Sequence, residues 1–271
     1  MNKFSKLILA LIVSMVIASS QVFGGELDIK GSTTVLPIAQ KAAEAYMAQN
    51  PGVKISLSGG GSGNGIKAII DGTADIGNAS RFIKQKEVNL AGSKNVYPVP
   101  FRIALDAIVP IVNSQNKVKD LTRAQLKDIY LGKIKDWKEV GGTPGKIIVI
   151  SRDSSSGTFG VWKELVMEKD RVIPSALTVP SNGGVVQAVT TTPGAIGYVA
   201  LGYLNHDIKA VKVDGIEGSE ANTLNGSFPI SRGLFMFTKG WPEGEIMDFI
   251  SFILSRKGQD LVKEAGSIPL F

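Results

Sequence analysis

The chain has 271 residues, of which 30 are basic, 24 are acidic, one is histidine and none is cysteine. The lack of cysteine excludes disulfides, thiolate metal sites, cysteine nucleophiles and thioether lipid anchors. The single histidine, His206, excludes multi-histidine metal sites, and we expect neither a metal nor a cofactor. The hydrophobic fraction of 44% is typical of a folded protein, and the length allows one large domain or two lobes of roughly 100–150 residues. The 31 glycines indicate many tight turns or a backbone that approaches a ligand closely.

Residues 1–24 have the pattern of a signal peptide. Lys3 and Lys6 precede an apolar run over residues 7–18, and Gly24 is the small residue that suits a signal peptidase. The run is shorter than the roughly 20 residues of a spanning helix; an uncleaved anchor is the alternative. We predict a cleaved leader and an exported, periplasmic protein, whose formal charge falls from +6 to +4 because the leader carries two lysines and no acid. Export and scattered basic residues predict no nucleic-acid partner.

The first part of the mature chain alternates strand-like and helical segments, which is typical of an α/β sheet. Predicted strands cover residues 26–30, 53–57 and 74–77, and the first is followed by a helix that runs toward Ala48. Each strand ends in a turn of small or hydroxyl-bearing residues: Gly31 to Thr34, Ser58 to Gly65, and Asn78 to Arg81. In an open parallel sheet such turns lie together at the carboxyl edge, where ligands bind.

The rest of the chain repeats this order. A strand over residues 147–151 leads through the turn Arg152 to Thr158 into a helix, Ser181 to Gly184 begins another helix, and Gly194 to Tyr198 begins a strand. A final amphipathic helix and the three tryptophans are predicted to pack in the core. The residues concerned are Ile246, Phe249, Ile250, Ile253 and Leu254 for the helix, with Trp137, Trp162 and Trp241.

The turns contain the groups that hold an anion well. Backbone N–H groups at a helix start, hydroxyl donors and one fixed guanidinium are such groups, and Arg152 with Ser156, Gly157 and Thr158 offers all three in one turn. Serine and threonine are also ordinary helix caps, which is the alternative for any single turn. Three such turns in one exported protein, with one arginine beside them, favour a small, doubly charged tetrahedral oxyanion as the ligand.

Four segments together resemble the phosphate-binding proteins of bacterial phosphate ABC transporters. They are Gly31 to Pro37, Gly61 to Gly63, Asp75 to Arg81 and, most specifically, Arg152 to Thr158 with its R-x-x-x-S-G-T pattern. The resemblance covers nearly the whole mature chain. It implies a two-lobed α/β periplasmic-binding-protein fold of type II, with two strand crossovers that form the hinge. The lobes would comprise residues 25–104 plus 232–271 and residues 105–231.

The resemblance also implies a function. The protein would bind inorganic phosphate and deliver it to the membrane permease of a phosphate ABC transporter for high-affinity uptake. It would not be an enzyme, and we expect a monomer. The candidate phosphate-binding residues are Ser32, Thr33, Thr34, Ser62, Ser80, Arg81, Arg152, Ser156, Gly157 and Thr158.

One position departs from the family pattern. In some relatives an aspartate at the end of the third strand accepts the proton of phosphate, and this chain has Ser80 followed by Arg81. Rejection of sulfate would then depend on Asp153, on a hydroxyl lone pair or on a backbone carbonyl. Arg81 is either a second cationic ligand or a lobe-bridging ion-pair partner.

Other functions remain as alternatives. A binding protein for another tetrahedral oxyanion such as sulfate would use the same groups. A secreted phosphate-ester hydrolase is less favoured, because the G-x-S-x-G pattern fails at Ser62, where Asn64 replaces the last glycine, and because His206 lies in a polar turn rather than beside a nucleophile. A solute-sensing or adhesive surface protein could share the scaffold.

Overall fold

The computed structural model describes residues 25–271, and the predicted signal peptide, residues 1–24, lies outside the described residues. The strands are β1 (Glu26–Gly31), β2 (Lys54–Ser58), β3 (Ile76–Ala79), β4 (Val99–Asn113), β5 (Asp120–Leu121), β6 (Ile148–Arg152), β7 (Leu177–Val179), β8 (Ala195–Ala200), β9 (Ile208–Ala210), β10 (Lys212–Val213) and β11 (Ser231–Thr238). The helices are α1 (Leu36–Gln49), α2 (Ser62–Asp71), α3 (Gln85–Ser93), α4 (Arg123–Leu131), α5 (Gly157–Leu165), α6 (Asn182–Thr191), α7 (Glu220–Leu224), α8 (Gly244–Leu254) and α9 (Arg256–Glu264). Two short 3-10 turns cover Trp137–Val140 and Leu201–Tyr203. Over residues 25–271, none of the helices combines the length and the apolar character that a membrane crossing requires.

One sheet extends through the whole molecule. Its strand order is β2-β1-β3-β11-β4-β8-β6-β7, and β9 also pairs with β4. β1 is parallel to β2 and β3, and β6 is parallel to β7 and β8. The long strand β4 pairs antiparallel with β11 in its first part and with β8 in its last part. β4 and β11 therefore join the two halves of the sheet.

Each half of the sheet has its own hydrophobic core. In the first half, Ile29, Ile38, Leu234 and Phe249 pack between the sheet and helices α1 and α8. In the second half, the core contains Trp162, whose ring stacks on that of Tyr198 with centroids 4.2 Å apart. Two separate cores on one sheet make two lobes.

Local sequence signals set several element boundaries. Ser156 Oγ accepts a hydrogen bond of 3.2 Å from the N–H of Phe159 and caps α5, and Ser181 Oγ accepts one of 2.9 Å from Gly184 and caps α6. Gly72 ends α2 in the left-handed conformation, which glycine adopts without steric cost. These caps place the first residues of α5 and α6 beside the ends of the strands that precede them.

Two sequence predictions need correction. The third strand, predicted over residues 74–77, lies at Ile76–Ala79, because its pairing with β1 begins at Ile76, opposite Ile29. The Asp75 carboxylate, just before the strand, accepts a hydrogen bond of 2.8 Å from the N–H of Asp28. Trp241 was predicted to pack in the core and is 71% exposed, whereas Trp137 and Trp162 are buried.

Replacing Trp162 with alanine should therefore lower the free energy of unfolding much more than replacing Trp241. A cavity in a packed core costs about 3–5 kcal/mol for a large aromatic residue, and an exposed substitution costs about 0.5 kcal/mol or less. Urea denaturation of Trp162→Ala and Trp241→Ala measures the difference. Equal losses in the two variants would contradict the packing described for Trp162.

Candidate functional site

Three turns meet at the carboxyl edge of the first lobe. β1 lies between β2 and β3, and all three run parallel, so the residues that follow them become neighbours. Ser62 and Ser80 share a hydrogen bond of 3.2 Å between their hydroxyls, and Ser62 Oγ also accepts one of 2.9 Å from the N–H of Ser80. The Ser62 and Ser80 side chains are both buried. Parallel pairing thus joins residues that are 18 positions apart in sequence.

The turn of the second lobe faces these hydroxyls closely. A Cβ added to Gly157 would lie 2.5 Å from Ser80 Oγ and closer still to Ser62 Oγ. Thr158 Oγ1 lies 3.3 Å from Thr34 Oγ1. Only a glycine at position 157 allows the start of α5 to approach the first lobe in this way. The two lobes therefore meet around a set of hydroxyl and N–H groups.

Arg152 brings a positive charge to this cluster. It is 3% exposed, and its guanidinium donates to the carbonyls of Val179 and Pro180 at 3.1 and 2.9 Å and to Thr33 Oγ1 at 3.4 Å. Its nearest carboxylate oxygen, on Asp153, is 4.0 Å away. Burial lowers the pKa of Arg152. Within residues 25–271, Arg152 Nη1 is buried without a hydrogen-bond partner, so this donor and its charge are available to an anion.

Two of the candidate serines have oxygens that accept local backbone hydrogen bonds. Ser32 Oγ accepts from the N–H groups of Thr34 and Val35 at 3.2 and 3.4 Å within the turn before α1, and Ser156 Oγ caps α5. The capping alternative therefore describes Ser156, whereas Ser32 stabilises its own turn. These bonds leave the two hydroxyl protons free to donate, because a hydroxyl carries one donor besides its lone pairs.

Arg81 forms an ion pair within one lobe, which contradicts the lobe-bridging alternative. Its guanidinium makes two hydrogen bonds to Glu87, of 2.8 and 2.7 Å, and one of 2.9 Å to the carbonyl of Phe82. Glu87 lies on α3 of the same lobe, so a lobe-bridging ion pair is not what the structure contains. The Arg81 guanidinium holds the pKa of Glu87 below its usual range, against the effect of burial. Arg81 is next to Ser80 in the chain, and the Glu87 carboxylate compensates the charge of Arg81.

A buried ion pair beside the site was missed by the sequence reasoning. Asp106 on β4 is fully buried and pairs with Arg232 on β11, with Nε and Nη2 at 2.8 and 2.7 Å from Asp106 Oδ2. Burial raises the pKa of Asp106 and lowers that of Arg232, and their mutual attraction opposes both shifts. The sequence signal for this pair is an acidic residue, Asp106, inside the apolar run over residues 103–112.

Asn182, the first residue of α6, was also missed. Its Nδ2 donates to Thr34 Oγ1 at 3.0 Å and to Thr33 Oγ1 at 3.3 Å, and its Oδ1 accepts from the N–H of Ala200 at 3.2 Å. Asn182 is fully buried. An asparagine at a helix start is an ordinary cap residue, and for that reason its position did not indicate a site.

No catalytic group stands out in this cleft. The His206 side chain is 94% exposed and lies 3.2 Å from Asp207. In the described part of the chain, no group of three or more His, Cys, Asp or Glu residues could hold a metal ion. The arrangement provides binding groups, most of them hydrogen-bond donors.

Several known proteins are similar to this chain in sequence and in fold. A family model described as a PBP superfamily domain matches residues 18–257. The phosphate-binding protein PstS of Bacillus subtilis (strain 168) is 34% identical over 249 residues, which cover 91% of this chain and 81% of that protein. The protein of the same name from Borreliella burgdorferi is 31% identical over 255 residues, covering 90% of this chain and 89% of that protein.

Solved structures of similar proteins have the same fold as this chain. A putative phosphate ABC transporter substrate-binding protein from Clostridium perfringens, solved with bound phosphate, has a TM-score of 0.85 at 37% identity, over 91% of this chain and 100% of that chain. An ABC-type phosphate transport receptor from Vibrio cholerae has a TM-score of 0.74 at 32% identity, covering 89% and 99%.

The fold and the site define a two-lobed substrate-binding protein of the PBP superfamily. Within that superfamily, the chain belongs to the family of phosphate-binding proteins PstS. The resemblance indicated by the four turns and the expected two-lobed α/β fold are both confirmed.

The close approach at Gly157 gives a direct test of the site. Gly157→Ala should weaken binding of inorganic phosphate, the ligand named for the relatives, by about tenfold or more, because the new methyl group displaces the Ser62 and Ser80 hydroxyls and a lost hydrogen bond to a charged group has this scale. Gly183→Ala is the matched control at the start of α6, where an added Cβ would have only Ser181 Oγ within 4 Å, at 3.9 Å. Titration calorimetry compares the two, and unchanged binding in Gly157→Ala would show that the anion lies elsewhere.

Proposed function

We propose that this protein binds one inorganic phosphate between its lobes and delivers it to the membrane permease of a phosphate ABC transporter. The observation that carries the proposal is the buried Nη1 of Arg152, which lacks a partner among the described residues, on a guanidinium whose Nη2 contacts the Thr33 hydroxyl of the other lobe. A charged donor without a partner is costly to bury unless an anion joins it. Relatives that are at least 31% identical are named for phosphate.

The donor shell fits a tetrahedral dianion. Helices α2, α5 and α6 begin at Ser62, Gly157 and Asn182, and each first residue contacts or directly faces another residue of the cluster. The N-terminus of a helix attracts anions through its free N–H groups and its dipole. Hydroxyl protons and the Arg152 guanidinium add charge-assisted hydrogen bonds, which are stronger than neutral ones.

Closure of the lobes completes the shell. Beyond the hydroxyl pair, the lobes are joined across the cleft by hydrogen bonds from Gly63 N–H to the Ser155 carbonyl at 2.8 Å and from Tyr203 hydroxyl to the Thr33 carbonyl at 2.6 Å. We infer an open form that captures phosphate on one lobe and closes about β4 and β11. Closure excludes water and so strengthens each bond to the charged ligand. The permease would bind the closed form.

The lobe boundaries, the location and the oligomeric state are also proposals. The proposed lobes are residues 25–104 plus 232–271 and residues 105–231, a division supported by the two hydrophobic cores. We propose a periplasmic monomer that is exported with a cleaved signal peptide, does not bind nucleic acid and is not an enzyme. The relatives described above are named as binding and transport proteins, which supports transport over hydrolysis.

The ten residues predicted from the sequence remain the proposed site, with Asn182 added. Thr33, Thr34, Ser62, Arg152 and the start of α5 are supported by their mutual contacts. Arg81 is the weakest member, because its charge is already paired with Glu87. Sulfate lacks a proton and carries the same charge as monohydrogen phosphate, so it is the discriminating competitor.

Calorimetry on protein freed of bound anion tests the function. We expect phosphate to bind at micromolar concentration or below and sulfate to bind much more weakly. Failure to bind phosphate would overturn the proposal. Equal binding of the two anions would instead assign the protein to tetrahedral oxyanions in general.

The Arg152→Met variant tests the central ligand. We expect phosphate affinity to fall about 10- to 100-fold, the range for a lost hydrogen bond to a charged group. Arg123→Met is the control, because it removes the same charge from an exposed pair with Asp214 in the same lobe. Affinity that changes equally in the two variants would mean that only net charge matters and that Arg152 is not a ligand.

A further inference from the structure

Arg232 lies where the hinge meets the site. Arg232 on β11 and Asp106 on β4 are directly opposite in the register of the two crossover strands. Their side chains are 3% and 0% exposed. The ion pair therefore joins the two strands that connect the lobes.

The other edge of the same guanidinium faces the ligand hydroxyls. Arg232 Nη1 donates to Thr158 Oγ1 at 3.0 Å, and Nη2 donates to Thr34 Oγ1 at 3.3 Å. Thr34 belongs to the first lobe and Thr158 to the second. Nη1 also donates to the carbonyl of Ser80 at 3.3 Å. One planar group thus contacts both hinge strands and proposed ligand residues of both lobes.

These contacts determine what the hydroxyls can do. A hydroxyl has one proton and two lone pairs, and Thr34 Oγ1 accepts from both Arg232 and Asn182. With its lone pairs engaged, Thr34 can act only as a donor. Thr158 Oγ1 lies 3.3 Å from Thr34 Oγ1, and Thr34 has no lone pair left to accept a hydrogen bond from it. The Thr158 proton is therefore free to donate to an anion, and the Thr34 proton can be donated either to Thr158 or to the anion.

The charge of Arg232 has a different role from that of Arg152. Asp106 neutralises Arg232 at 2.7 Å, whereas the nearest carboxylate oxygen to Arg152 is 4.0 Å away. The charge of Arg152 is the less compensated of the two and is available to an anion, whereas Arg232 orients the hydroxyls that it contacts.

We propose that Arg232, held by Asp106, is a positioning residue that orients the Thr34 and Thr158 hydroxyls as donors to phosphate and so couples lobe closure to the presence of the anion. The inference rests on the proposed phosphate function of the same site. Arg232 does not need to touch phosphate to act in this way.

The Arg232→Lys variant keeps the charge and the ion pair but not the planar fork. A lysine ammonium is a point donor on a flexible stem and does not reproduce fork geometry. We expect phosphate affinity to fall about tenfold or more, the scale of lost hydrogen bonds near a charged ligand. The loss should occur mainly as faster phosphate dissociation in stopped-flow measurements, because the closed form is what the oriented hydroxyls stabilise. Arg123→Lys is the matched control and should bind like the wild type.

A double variant without the ion pair distinguishes a positioning role of Arg232 from a purely structural role. Removing Arg232 alone leaves Asp106 buried without a partner, which destabilises a fold strongly, whereas replacing a buried ion pair with apolar residues is often neutral or stabilising. We expect the double variant Arg232→Met with Asp106→Leu to fold, as measured by urea denaturation, and to lose phosphate affinity as Arg232→Lys does. Wild-type affinity in this folded variant would mean that the pair is only structural, and it would overturn the proposal.

A double-mutant cycle tests the route through the hydroxyls. Thr34→Val should weaken phosphate binding in the wild type and much less in the Arg232→Lys background, because the hydroxyl is no longer oriented there. Additive losses would overturn the positioning role. Failure of the wild-type protein to bind phosphate would overturn the function itself, and the two failures are therefore distinguishable.

Discussion

A guanidinium that leaves water must replace the hydration it loses, and Arg152 replaces it only in part. Its Nε and Nη2 donate to backbone carbonyls, while Nη1 has no partner within residues 25–271. Closing the lobes without an anion would place this charge in a dry cleft at a high cost in free energy. A bound dianion removes the cost and adds charge-assisted bonds. The arginine that we propose as the ligand of the anion would therefore also make closure depend on the anion.

The other buried arginines near the cleft are compensated. Glu87 pairs with Arg81 inside the first lobe, and Asp106 pairs with Arg232 across the crossover strands. Both pairs are structural elements of fixed geometry, and neither adds net charge to the site. Arg152, whose nearest carboxylate oxygen is 4.0 Å away, is the least compensated of these three arginines, and its charge among hydrogen-bond donors favours a small anion.

The sequence predicted the features that depend on local signals. The turns after β1, β2 and β3 contain hydroxyls at strand ends, and parallel pairing brings such ends together. The contact between Ser62 and Ser80 is one result. Asp106 and Arg232 are 126 positions apart, and only the pairing of β4 with β11 makes them partners. No local pattern reports that pairing. The lobe-bridging alternative for Arg81 and the core position of Trp241 were wrong for a related reason, since tertiary packing decides where each side chain points.

The stacked rings of Trp162 and Tyr198 have a practical consequence. The Tyr198 hydroxyl lies 3.1 Å from Ser151 Oγ and accepts a hydrogen bond of 3.3 Å from the backbone N–H of Arg152. The Tyr198 side chain thus lies between the Trp162 indole and Arg152, which we propose as the anion ligand. A variant in which Trp162 is the single tryptophan would carry its own fluorophore beside the cleft. Such a protein could serve as a reagentless optical sensor, with no dye attached to a chain that has no cysteine to label.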